Sequence, residues 1–325
     1  MTLQQLKYVL AVEQHLSFNL AAEACHVAQP SLSAQIKKLE DELGVSIFDR
    51  STSSGVRVTE VGRSILEHAR LILSQVQKLE DESSVFNNEV RGTLRVGIIP
   101  TVSPYLVPHF LQRVRRDYPS LQLELSEDKT ETLVNELHHG RIDAAILSTP
   151  KKSPENLIEK LLYYEPFSVY ACVGHPLLEK KEIKLSQVSN YAVTLLDETH
   201  CLRDQVISAC GNQVKESTQE SIRLKNGGLQ TLVSIVDRNN SFTLLPKLAE
   251  NVLHLEHPRT GLREIVAPTP FRKISLLYHA SFGRKTLIDA LAKAIQNSLP
   301  DSVSTQKTPK GLVVDPLADH FKNRS

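Results

Sequence analysis

After Arg91-Gly92 the sequence changes rhythm, and that change constrains the fold more than any other feature. Thr93–Ile99, Leu121–Leu125 and Ile142–Leu147 read as strands, separated by helices over Pro108–Asp117 and Thr130–His139. Strand-helix-strand alternation predicts a parallel sheet with helices on its faces. The pattern continues with strands at Ser168–Val173, Tyr191–Leu195, Phe242–Leu245 and Ile274–Tyr278, and helices near Cys201–Cys210, Gly228–Asp237 and Arg284–Ser298. At roughly 150 residues per domain, the 325 residues suggest two domains. The 41% hydrophobic content supplies a core without disulfides or a metal. No run of about 18 apolar residues is present, so no membrane partner is expected. The first residues lack a signal-peptide pattern, and a cytoplasmic location is the expectation. Beyond Pro300, with Pro309, Pro316 and mixed charges, 301–325 reads as a disordered tail.

The first 62 residues are different. Leu3, Leu6, Val9 and Leu10 give one helical stripe, and Asn19–Cys25 a short second helix. After His26–Gln29, Pro30-Ser31 opens a third helix that buries Leu32, Ile36, Leu39 and Leu43 and stops at Gly44. Ile47, Phe48, Val56 and Val58 fit two short strands around a polar turn. This order is a winged helix-turn-helix, whose third helix enters a major groove of double-stranded DNA. The residues then aimed at base edges are Gln29, Pro30, Ser31, Ser33 and Lys37. Arg50 and Arg57 flank the wing, where phosphate contact is natural. Charge argues less clearly. Lys7, Lys37, Lys38, Arg50 and Arg57 face seven acids, a net −2 for 1–62. The whole chain carries 38 basic and 37 acidic side chains, so any DNA attraction has to be local.

From Thr59 to about residue 87 one long helix is predicted. Ile65, Ala69, Ile72, Val76 and Leu79 are spaced 4, 3, 4 and 3, an a/d seam that fits a dimer helix. Packing of that helix on its own domain would use the same stripe.

Cys25, Cys172, Cys201 and Cys210 show no CxxC pair and no zinc-type spacing, so neither a metal nor a cofactor is expected. Cys25 and Cys172 fit structural positions. Asp197-Glu-Thr-His-Cys201-Leu-Arg-Asp-Gln carries more chemistry. Asp197 or Thr199 would cap a helix opened by Cys201, with His200 and Arg203 adjacent, a setting that favours a thiolate. Cys210 lies nine residues on, about 13 Å of helical rise away. A disulfide needs Cα atoms within about 7 Å. Either these cysteines never pair, or pairing opens the helix.

AAEACHVAQPSLSAQIKKLEDELGVSIFDR, followed by VRVTEVG, resembles the N-terminal segment of LysR-type transcriptional regulators. The resemblance implies an α + α/β architecture. A winged helix-turn-helix would occupy 1–58, a dimerising linker helix 59–88, and a two-lobed effector domain related to periplasmic binding proteins 91–300. Lobe I would combine 91–162 with 267–300, and lobe II would be 163–266. It also implies a homodimer or homotetramer on promoter DNA, working with RNA polymerase, and no enzymatic activity. HCLRDQ…C is similar to the peroxide-sensing branch of the family. That resemblance implies activation of oxidative-stress genes by hydrogen peroxide, with Cys201 peroxidatic and Cys210 resolving. The stretch Ile99-Pro100-Thr101 and the Pro-Phe-Arg272-Lys segment are similar too. They imply that Thr101, Thr130, His200 and Arg272 surround the peroxide, where hydroxyls and a guanidinium would stabilise the leaving oxygen. The alternative within the family is a regulator that binds a small metabolite between its lobes, with silent cysteines.

Overall fold

A computed structural model describes residues 1–49, 56–85, 90–149, 156–211, 227–256, 261–266, 268–303 and 310–316. The chain divides into two compact units, one built on Met1–Glu89 and the other on Val90–Leu137, Ile142–Ala280 and Lys285–Ser325.

In the first unit α1 (Leu3–His15) starts with a capping box. The Gln5 amide donates to Thr2 Oγ1 at 3.2 Å, and the Thr2 amide donates back to Gln5 Oε1 at 2.8 Å. The Ser17 hydroxyl caps α2 (Phe18–Ala24). His26, at φ 56, turns the chain into α3 (Gln29–Leu43), which ends at Gly44 in the left-handed region. Leu6, Val9, Val12, Ala22, Leu32, Ile36 and Leu39 form the core between these helices. β1 (Phe48–Asp49) and β2 (Arg57–Val58) pair antiparallel as the wing. Glu40 near the end of α3 is more than a solvated charge. Its Oε1 accepts from the Ile47 and Phe48 amides at 2.7 and 3.1 Å and sets the start of the wing. The Thr59 hydroxyl donates to Ser46 O at 2.7 Å and accepts from the Gly62 amide at 2.9 Å, opening α4 (Glu60–Val85).

The second unit runs β3 (Gly92–Ile98), α5 (Ser103–Asp117), β4 (Leu121–Glu127), α6 (Thr130–His138), β5 (Ala144–Ser148), β6 (Leu157–Ala171), β7 (Glu182–Lys184), α7 (Cys201–Cys210), α8 (Leu229–Val236), β8 (Phe242–Pro246), α9 (Lys247–Glu256), β9 (Gly261–Val266), β10 (Pro270–His279), α10 (Lys285–Gln296) and β11 (Leu312–Val313). The strand order is β4-β3-β5-β10-β6-β9-β7. β3 pairs parallel with β4 and β5, which makes the first layer an α/β sheet with its strand ends on one edge. β6 first pairs antiparallel with β10, up to Pro166, and from Phe167 with β8; from Ser168 it also pairs with β9. One strand thus threads both sheets.

Four expectations are corrected. The strand expected to start at Ser168 starts at Leu157. Glu159 and Glu165 interrupt the apolar pattern there, and both are neutralised inside by Lys273 and Arg272. Tyr191–Leu195 forms only an isolated bridge, Val193 to Phe242. The α5 helix begins at Ser103 and carries Pro108 inside it. Within the tail expected to be disordered, Leu312–Val313 adds a parallel strand to β10, and Val314 is buried.

Candidate redox site and DNA-reading surface

Because β3 and β4 are adjacent and parallel, the residues that follow them leave the sheet side by side. Thr101 follows β3 and Thr130 follows β4 as the first residue of α6. The carboxyl edge of parallel strands is where open α/β sheets bind ligands. Cys201 is the first residue of α7, and its Sγ lies 3.0 Å from Thr130 Oγ1. Two helix N-termini therefore meet at the thiol, each with its positive end toward the sulfur.

Arg272 on β10 reaches the other threonine. Its Nη1 donates to Thr101 Oγ1 at 3.4 Å and its Nη2 to Thr101 O at 3.1 Å. Behind it stands Glu165, which sequence reasoning missed. Glu165 Oε2 accepts from Arg272 Nε at 2.7 Å, and Oε1 accepts from the Leu248 amide at the start of α9 at 2.6 Å. The pair is sealed, with side-chain exposures of 1% and 0%. The available signal was a lone acid in the apolar run Leu-Leu-Tyr-Tyr-Glu-Pro-Phe. Of the four residues expected around the peroxide, Thr130 is joined to Cys201, and Arg272 to Thr101. His200 directly precedes Cys201 and is buried.

Burial opposes the expected thiolate. Burial pushes the Cys201 thiol up to about 12, and the carboxylates of Asp204 and Glu131 push the same way. The Thr130 hydrogen bond and a backbone hydrogen bond pull down but do not win. The Arg203 guanidinium donates to Leu196 O at 3.2 Å. Neither Asp197 nor Thr199 caps α7: Asp197 Oδ1 accepts from the Thr199 amide at 2.8 Å, and His200 holds the cap position. Burial raises Cys210 to about 12 as well. Cys201 and Cys210 are the first and last residues of one intact helix, both as free thiols. Cys25 and Cys172 are half-buried.

In the first unit Pro30, Ser31 and Lys37 are exposed along α3, with Gln29 and Ser33 half-buried beside them. Arg57 on β2 is exposed, and Arg50 lies outside the described residues. On α4, Ala69 is spent in the unit's own core beside Leu66, and Ile65 packs against that core. Ile72 and Leu79 are 37% and 72% exposed, while Val76 is half-buried. The seam thus splits: its first turn serves the domain, and its later turns present apolar side chains outward.

Residues 87–300 match the LysR substrate binding domain, and residues 3–63 the bacterial regulatory helix-turn-helix protein, lysR family. The chain belongs to the LysR family of transcriptional regulators. It is 35% identical to the hydrogen peroxide-inducible genes activator of Dickeya chrysanthemi over 92% of this chain and 96% of that one. It is 34% identical to the DNA-binding transcriptional dual regulator OxyR of Escherichia coli K12, over 91% and 95%. A full-length OxyR from Pseudomonas aeruginosa with a Cys-to-Asp substitution superposes with a TM-score of 0.80 at 35% identity, covering 95% of this chain and 99% of that one. A Cys-to-Ser variant of Corynebacterium glutamicum OxyR with hydrogen peroxide bound gives 0.61 at 30% identity, over 91% and 94%. The LysR-type chain is therefore a DNA-binding regulator with a helix-turn-helix and an α/β regulatory domain, not an enzyme. Among its described residues no helix is long and apolar enough to cross a membrane.

Proposed function

We propose that this LysR-type regulator senses hydrogen peroxide through Cys201 and Cys210 and activates oxidative-stress genes. The observation that carries the reading is the Thr130–Cys201 contact at 3.0 Å, with Cys210 closing the same helix. Relatives named hydrogen peroxide-inducible genes activator support it. The Cys201 sulfur attacks one peroxide oxygen, the O–O bond breaks, and the thiol proton leaves with the second oxygen as water. The sulfenic acid formed on Cys201 is then attacked by the Cys210 sulfur, a disulfide forms, and a second water departs. Two electrons from two thiols reduce one peroxide to two waters. Thr101 and Arg272 stabilise the charge on the departing oxygen. His200 holds or delivers a proton beside the sulfur. Nine residues of helix separate the cysteines by about 13 Å, so the disulfide forms only when α7 opens. That opening is the signal.

The DNA-facing residues are Gln29, Pro30, Ser31, Ser33 and Lys37, with Arg50 and Arg57 on phosphates. The working unit is a homotetramer, a pair of dimers each joined through Ile72, Val76 and Leu79, and it recruits RNA polymerase. Free-thiol counting before and after peroxide, with mass mapping of any disulfide, tests the core of this reading. Loss of two thiols, mapped to Cys201 and Cys210, supports it. Unchanged thiols, or a bridge to Cys25 or Cys172, refute it and favour a regulator that binds a metabolite.

A further inference from the structure

The match to the family domain stops at residue 300, yet residues 310–316 pack back on the sensor. β11 lies parallel on β10, with Leu312 opposite Pro270 and Val313 opposite Phe271. The Leu312 amide donates to Thr269 O at 2.9 Å and the Val314 amide to Phe271 O at 2.8 Å. The approach is close: a Cβ on Gly311 would stand 2.4 Å from Thr269 O. This strand thus ends beside the residue that precedes Arg272. Its other side meets α7. Gln205 Nε2 donates to Val314 O at 2.9 Å and to Ser148 Oγ at 2.8 Å, and Gln205 is fully buried. Gln205 lies four residues after Cys201 and therefore on the same face of α7.

We propose that residues 310–316 form a strap that holds α7 helical in the thiol state and must release it before Cys201 and Cys210 can meet. Gln205 sits between the two cysteines. Any unwinding that joins them withdraws its amide from Val314 O. A buried carbonyl that loses its donor has to find another or move to water. Among the described residues β11 is two residues long and pairs with β10 alone, so little backbone pairing holds it against lifting. The sensor helix and the strap therefore open together, and the strap sets how often the thiols become reachable. The redox consequence rests on the peroxide reading, but the hold on α7 does not.

The test uses the full-length reduced protein, a chain ending at Pro309, and Leu312→Pro, which removes one strand donor and keeps the length. Hydrogen exchange of the amides of 201–210, and alkylation of Cys201 and Cys210 by iodoacetamide, are measured without peroxide. Loss of the strap should speed both by roughly fivefold or more, the equivalent of one net hydrogen bond. Exchange of 242–246 in β8 should stay unchanged. A synthetic peptide of residues 310–325 should slow the truncated protein again. Peroxide-driven disulfide formation should accelerate by the same factor. Unchanged exchange in 201–210 in both variants overturns the strap, as does an equal acceleration throughout the unit. A protein that never forms the disulfide refutes the peroxide reading while the exchange data still judge the strap.

Discussion

Replacing Thr130 with valine removes one contact at the reacting sulfur and little volume. The contact is 3.0 Å long, and both partners are buried, at 2% and 4% exposure. A hydrogen bond to a charged group is worth about 1.5–3 kcal/mol. Only the thiolate gains that much from the Thr130 hydroxyl, so its loss pushes the Cys201 thiol further up. The starting value is already about 12 because of burial. The thiolate population at neutral pH, and with it the rate of Cys201 oxidation, should therefore fall a further ~10–100-fold. Stopped-flow thiol loss under excess peroxide measures this directly. Thr130→Ser, which keeps the hydroxyl, should recover most of the rate. Oxidation of Thr130→Val at the wild-type rate, with the disulfide still mapped to Cys201 and Cys210, would refute the assignment of Thr130 as the thiolate's donor.

Glu165→Gln leaves the Arg272 guanidinium buried without its counter-charge, a loss of about 3–5 kcal/mol that urea unfolding should resolve. The two buried thiols titrate far above their unfolded values. Their contribution to stability is thus complete below pH 9 and lost as pH rises from about 9 toward 12, and Cys210→Ser should reduce that alkaline loss in a pH series of thermal melts. Ile72→Asp puts a charge in the exposed half of the α4 seam and should turn the proposed dimer into a monomer at micromolar concentration by light scattering. Gln29→Ala should cost about 1–3 kcal/mol on a specific site and little on random DNA, whereas Arg57→Ala should weaken both equally; equal losses for both variants would displace α3 from the groove.

The limits of α7 match the helix expected over Cys201–Cys210, although the cap expected from Asp197 or Thr199 does not form. The parallel layer was legible in the sequence, since β3, β4 and β5 alternate with the helices α5 and α6. What stayed hidden is tertiary. The pattern around Cys201 gives a helix start, His200 and Arg203, all of which favour a thiolate. It cannot show that the sulfur is only 4% exposed, and burial reverses the balance. Glu165 and Arg272 lie 107 residues apart, and nothing local marks them as partners. The β11 strand was missed because prolines and charges surround Leu312, while its hydrogen-bonding partners are supplied by β10 and α7.

The first unit carries a consequence for which operators it can accept. Glu40 grips the first wing strand, Thr59 ties Ser46 to the start of α4, and a Cβ on Gly62 would lie 2.2 Å from Ile47 O. Recognition helix, wing and linker helix are thereby locked into one stiff head. Such a head resists re-aiming the base of its wing to follow a groove of different width. Adaptation falls to the duplex, and the energy of bending it becomes part of the selection. Sites with easily deformed pyrimidine–purine steps beneath the wing would be favoured over stiffer ones carrying the same contacted bases.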